Sequence, residues 1–147
     1  MIRRRLVAAL AFALCAGTGG AQQPPADVAV TAADWTEIRR AVTGQREAIA
    51  AADEAKAYAY AAPGLRAHYP TPAAFMAMIR RGYAPLVDAR LAQPLDGAVI
   101  GGDVIQPLQL VMPDGTVLVA LYTMEKQRDG SWRIAGCLVA PSVRKSA

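Results

Sequence analysis

Apolar side chains change their spacing along this chain, and the changes mark its elements. Asp34-Trp35-Thr36-Glu37 has the spacing of a capping box. Trp35, Ile38, Val42, Gln45, Ile49 and Ala52 then recur at steps of three and four, which predicts one amphipathic helix with Gln45 as a polar interruption. A second, short helix is expected from Asp53-Glu54 through Tyr58 and Tyr60 to Ala62, closed by Pro63-Gly64. Thr71-Pro72, a cap followed by proline in the first turn, opens a third helix through Phe75, Met76 and Ile79 to about Gly82.

Beyond Tyr83 and Pro85 the period falls to two. Leu86 to Ile100 reads as extended, broken or bulged at Pro94 and Gly97. Gly101-Gly102 is a turn into a strand from Val104 to Met112, where Pro107 argues for an edge or a bulge. Pro113-Asp114-Gly115 turns into Thr116 to Gln127, and Asp129-Gly130 is a hairpin signal that returns the chain along Ser131 to Ala140. Helices first and an antiparallel meander afterwards define an α+β domain, N-terminal helices packed on a sheet of four or more strands.

Both faces of the last hairpin are apolar. Val117, Val119, Leu121 and Thr123 alternate with Leu118, Ala120, Tyr122 and Met124. On the returning strand, alternation groups Trp132, Ile134 and Leu138 on one side and Ala135, Cys137 and Val139 on the other. Helices cover one face of such a sheet; the other needs a fold-back, a ligand cavity or a second subunit.

The N-terminus follows a different pattern. Arg3-Arg4-Arg5 precedes an unbroken apolar run from Leu6 to Ala16, and Gly19-Gly20-Ala21 supplies small residues after it. These are the three parts of a secretory signal peptide, residues 1–21, cleaved near Ala21. The run is shorter than the roughly 20 residues of a membrane span. Cys15 follows the bulky Leu14 within it, which does not suit a lipid-attachment site, so no stable membrane anchor is expected. Residues 22–33 then form a mobile leader, 34–141 the domain and 142–147 a tail, in the periplasm or secreted.

Export changes the charge balance. The full chain has 16 Lys+Arg against 12 Asp+Glu, a net +4, but three of the arginines leave with the signal and no acid does. The remaining +1 removes most of the electrostatic case for nucleic acid. Cys15 leaves too, so Cys137 has no cysteine partner and is expected to be buried as a small apolar side chain.

Several segments carry a family resemblance. They are Ala59-Tyr60-Ala61-Ala62-Pro63 with Leu65-Arg66, and Phe75 to Pro85 (Phe-Met-Ala-Met-Ile-Arg-Arg-Gly-Tyr-Ala-Pro). Ala120-Leu121-Tyr122-Thr123-Met124-Glu125 and Gly130-Ser131-Trp132-Arg133-Ile134-Ala135-Gly136-Cys137 complete the set. Together they resemble the bacterial family called domain of unknown function 4864. The element order is similar to the nuclear transport factor 2-like superfamily, which includes ketosteroid isomerase and scytalone dehydratase. That resemblance implies a curved sheet and a cone-like fold with an apolar interior. In the related enzymes a carboxylate or histidine moves a proton there and a tyrosine or protonated acid stabilises an oxyanion.

The candidate chemistry is sparse. One histidine and one cysteine of the mature domain, His68 and Cys137, stand far apart, so neither a metal site nor a bound cofactor is expected. No Gly-x-Ser-x-Gly elbow occurs, and Gly101-Gly102 lacks the lysine and helix start of a phosphate loop. The segment between the second and third helices reads Leu65-Arg66-Ala67-His68-Tyr69, with no carboxylate. His68 is the candidate base there, with Tyr83 as a catalytic hydroxyl. Gln45, Tyr58, Tyr60, Tyr83 and Tyr122 are the candidate pocket residues. These residues favour a non-catalytic module that binds a small apolar ligand or pairs into a homodimer through its sheet. An isomerase or lyase with a His or carboxylate base is the alternative.

Overall fold

The computed structural model describes residues 29–142. The proposed signal peptide, most of the leader and nearly all of the tail lie outside them.

Helix α1 spans Ala32–Ala50. Its cap is Thr31, not Asp34, because Thr31-Ala32-Ala33-Asp34 has the same box spacing one turn earlier. Thr31 Oγ1 accepts from the Asp34 amide at 3.1 Å, and Asp34 Oδ2 accepts from the Thr31 amide at 3.0 Å. The predicted stripe is buried from Ile38 through Val42 and Gln45 to Ile49. It stops there, since Ala52 is exposed and sits beyond the helix at φ +55°, a left-handed conformation that ends the helix.

Helix α2, Glu54–Ala59, is capped by Asp53, and α3, Pro63–His68, follows at once. Pro63-Gly64 therefore opens a helix where it was expected to close one: proline at the first helical position loses only an N–H that needs no partner. Between α2 and α3, the Ile134 amide donates to Tyr60 O and the Ala62 amide donates to Ile134 O, each at 2.8 Å. That short parallel bridge fixes the helices against the last strand. Tyr60 lies over Gly44 of α1, where a Cβ would come within 2.3 Å of its hydroxyl oxygen.

Helix α4, Pro72–Gly82, has the predicted Thr71 cap and buries Phe75, Met76 and Ile79. The next residues depart from expectation. Ala84–Asp88 is a single helical turn, α5, which buries Leu86. Five residues are too few to display a helical period, and Pro85 again stands in the first turn.

Five antiparallel strands follow: β1 Leu91–Pro94, β2 Ala98–Ile100, β3 Asp103–Val111, β4 Val117–Lys126 and β5 Trp132–Pro141. The helices cover one face, giving the α+β architecture read from the chain. β1 and β2 pair with successive parts of β3, like two halves of one interrupted edge strand. This interruption explains Pro107. β3 is an internal strand, yet Pro107 lies opposite the break between Pro94 and Ala98, and its carbonyl accepts from the Leu95 amide at 3.1 Å. Its missing N–H faces the gap, so no ladder bond is lost.

A bulge in β5 overturns one expectation. Met124 pairs with Ile134, but Thr123 pairs with Gly136, so Ala135 is an extra residue. The facing parity reverses there. Cys137 and Val139 join Trp132 and Ile134 on the helix-covered side, and Leu138 turns to the other. The outer face, with Leu121, Ile105 and the 63 % exposed Leu138, has no covering element among the described residues.

Candidate functional site

The covered face of the sheet and the helices form a cavity of about 210 Å³, partly open to solvent. Gln45 of α1 and Leu65 of α3 reach it from one side. Phe75, Met78 and Ile79 of α4 line it, together with Tyr83 and Leu86. Tyr69 and the β5 residues Ile134, Gly136 and Cys137 complete the wall. Each element contributes for a local reason: the α1 stripe carries Gln45 inward, the Thr71 cap sets the start of α4, and the bulge turns Cys137 toward the helices.

Its polar groups are few and mostly occupied. Gln45 is 2 % exposed, and its Nε2 donates to Ala57 O at 3.2 Å. The Tyr83 hydroxyl donates to Cys137 O at 3.0 Å, and burial pushes its phenol above the ordinary value, with Cys137 and Tyr69 adding to the effect. Burial likewise pushes the Cys137 thiol up to about 12. It is thus protonated at neutral pH, which makes it neither a nucleophile nor a ready metal ligand.

Of the pocket residues anticipated from the chain, Gln45 and Tyr83 line this cavity and three do not. Tyr58 stands behind the wall: its hydroxyl donates to Tyr69 O at 2.8 Å and its ring meets Phe75 with centroids 5.7 Å apart. Tyr60 packs on α1 at Gly44. Tyr122 is fully buried on β4 opposite Cys137 and is not part of the lining. His68 is exposed at the end of α3, and the acids Asp88 and Glu125, which could have served the carboxylate alternative, are exposed as well.

Four residues escaped sequence reasoning. Leu65, Tyr69 and Met78 are ordinary apolar residues whose convergence needs the fold. Gln106 is fully buried, directly opposite Tyr122. It did have a signal, a polar residue on the alternating face Val104-Gln106-Leu108-Leu110. Its Nε2 donates to Leu95 O at 2.7 Å and Pro107 O at 2.8 Å, while its Oε1 and the Tyr122 hydroxyl have no partner among the described residues. Burial, with a smaller contribution from Cys137, holds the Tyr122 phenol well above its ordinary value.

Asp34 is tightly held between α1 and the last hairpin. Trp132 Nε1 donates to its Oδ1 at 2.9 Å and Lys126 Nζ at 3.1 Å, while Thr31 occupies Oδ2. These donors, Trp132 foremost, hold its carboxyl far below the usual range. A carboxylate so fully engaged ties α1 to the β4–β5 hairpin and has no basicity to offer. Among the described residues, no three His, Cys, Asp or Glu side chains are grouped as a metal centre requires. No described helix is long and apolar enough to cross a membrane.

Fold and cavity together define an α+β domain, helices over one face of an antiparallel sheet, with a small apolar interior site. The chain belongs to the family described as Domain of unknown function (DUF4864), which it matches over residues 31–147. No curated protein and no solved structure matches it.

Proposed function

We propose that this is an exported, non-catalytic binding module whose cavity takes a small apolar ligand with one polar end. The observation that carries this reading is the composition of the wall: aromatic and aliphatic side chains, with Gln45 and Tyr83 as its polar edge. An apolar cavity of roughly 150 Å³ accommodates benzene, so about 210 Å³ suits one substituted ring or a short acyl chain. Neither a histidine nor a carboxylate is among the lining residues, which supports binding over isomerase or lyase chemistry. The order of helices and meander supports placement with the nuclear transport factor 2-like cones.

Native mass spectrometry of protein recovered from the periplasm of its own cells tests the ligand and the export together. The expected result is a chain beginning just after Ala21 with a small-molecule mass attached. A ligand-free chain, or equal ligand occupancy in a Leu65→Trp variant with its cavity filled, rejects the binding reading.

The outer sheet face favours a second reading, a homodimer formed through the sheet. Ile100 is 64 % exposed and Leu138 63 %, beside an apolar groove that includes Ile105, Pro107 and Leu121. Light scattering should give twice the monomer mass, and Leu138→Glu should return it to the monomer value. A monomeric parent protein rejects this reading.

A further inference from the structure

A second, separate site stands on the other side of α3. Leu65 faces the cavity, but the next residue, Arg66, lines an open cleft of about 720 Å³ between α3 and the β4–β5 turn. Arg128 of that turn and Arg133 of β5 line the same cleft.

Arg66 and Arg133 are oriented by backbone carbonyls. Arg66 Nε donates to Ala61 O and its Nη2 to Ala59 O, both at 3.1 Å, while its guanidinium stacks over the Tyr58 ring at 4.8 Å. Arg133 Nη1 donates to the same Ala59 carbonyl at 2.9 Å. Two guanidinium nitrogens bonded to one oxygen lie no more than about 6 Å apart. Like charges that close repel one another.

Closing the end of α2 accounts for only part of this arrangement. Each guanidinium carries five N–H donors, and the pair spends three of them on carbonyls. Among the described residues the ion pairs are Arg80–Glu54 and Lys126–Asp34, so none of these three arginines is in one. Asp129 is the carboxylate of the cleft, and Ser131 already engages it through its amide at 2.9 Å and its hydroxyl at 2.6 Å. Glu125 lies directly opposite Arg133 on β4, so three guanidinia stand against two carboxylates and the cluster keeps one positive charge in excess.

We infer that this cleft binds a dianionic phosphoryl group, as free phosphate or as a phosphomonoester. The negative charge of a phosphoryl group complements the excess, and the fork geometry of guanidinium matches the spacing of phosphate oxygens. The backbone carbonyls hold Arg66 and Arg133 in place beforehand, so little side-chain entropy is lost on binding.

The test is titration of the full chain with inorganic phosphate and, separately, with methyl phosphate, against chloride at matched ionic strength. The readout is the side-chain Nε–H NMR signals of Arg66 and Arg133. A saturable shift with phosphate and none with chloride is expected. Arg128→Gln alters an exposed turn residue, so the fold is kept, and it should weaken binding about tenfold, the effect of losing one charged hydrogen bond. Arg133→Lys keeps the charge but loses the fork, and should also weaken binding. If methyl phosphate binds as well as phosphate, the ligand enters as an ester; if only phosphate binds, the ligand is the free ion. A linear, unsaturable shift, or Arg128→Gln and Arg133→Lys proteins that both bind like the parent, overturns the inference.

Discussion

The Tyr122 ring is among the largest fully buried side chains, and its hydroxyl enters the interior without a partner among the described residues. In the unfolded chain that hydroxyl is hydrated. Folding removes the water and offers no protein acceptor, a cost of about 1–3 kcal/mol for a neutral group. Tyr122→Phe keeps the ring and deletes this cost. It also forfeits the few dispersion contacts of one oxygen atom, at about 0.1–0.2 kcal/mol each. The balance favours the variant by about 1 kcal/mol, or a rise in Tm of about 4 °C for a domain of this size.

Gln106, directly opposite on β3, should respond less. Its Nε2 serves the carbonyls of Leu95 and Pro107 while its Oε1 is as unpartnered as the Tyr122 hydroxyl, so Gln106→Leu trades two hydrogen bonds against one uncompensated acceptor. A change of no more than about 1 kcal/mol is expected. Urea denaturation of both variants, with m held constant, measures each change directly. A lower urea midpoint for Tyr122→Phe at unchanged m would refute the reasoning, since it would mean that the hydroxyl has a partner in solution.

Three further outcomes are expected. Ala52 occupies the left-handed region at φ +55°, so Ala52→Gly should stabilise the domain by about 1 kcal/mol, read as a higher melting temperature; an unchanged or lower one counts against backbone strain there. Asp34 has a depressed carboxyl in the folded state, so its contribution is complete above the ordinary value of 3.8 and is lost as pH falls toward the folded value. Asp34→Asn should therefore lower the urea midpoint at neutral pH and flatten its decline in acid; an unchanged acid slope would show that other groups set it. The Cys137 thiol, with its pKa raised to about 12, should alkylate slowly in the folded protein at mildly alkaline pH and rapidly in urea, followed by peptide mass mapping. Equal rates in both states would place the thiol at the surface.

Much of the fold was legible along the chain because its signals are local. Thr71-Pro72 begins α4 as expected, since a cap and a first-turn proline act within one helical turn. Asp129-Gly130 turns the last hairpin for a similar reason: Gly130 takes φ +88°, and Asp129 accepts from the Ser131 amide. The two single-turn or two-turn helices were not legible. At Pro63 and Pro85 the same residue type opens a helix or ends one according to what packs against the next few side chains. Gln45 was visible as a polar break in an apolar stripe, and the structure gives it a backbone partner and a cavity. Tyr58, Tyr60 and Tyr122 had the composition of pocket residues, yet they support the wall, pack on α1 and fill the core respectively.

The amino-acid order by itself determined the class, helices then an antiparallel meander, because capping, turn preference and apolar alternation act over neighbouring residues. The near-neutral charge of the proposed mature domain follows from the sequence alone in the same way. Tertiary structure decided the sites. One extra residue at Ala135 reverses the parity of β5 and puts Cys137 rather than Leu138 inside, and a break in the edge strand makes room for Pro107 in an internal one. The arginine cleft forms only because a parallel bridge to Ile134 brings the end of α2 beside β5. Such choices depend on partners distant in the chain, and no spacing within a segment encodes them.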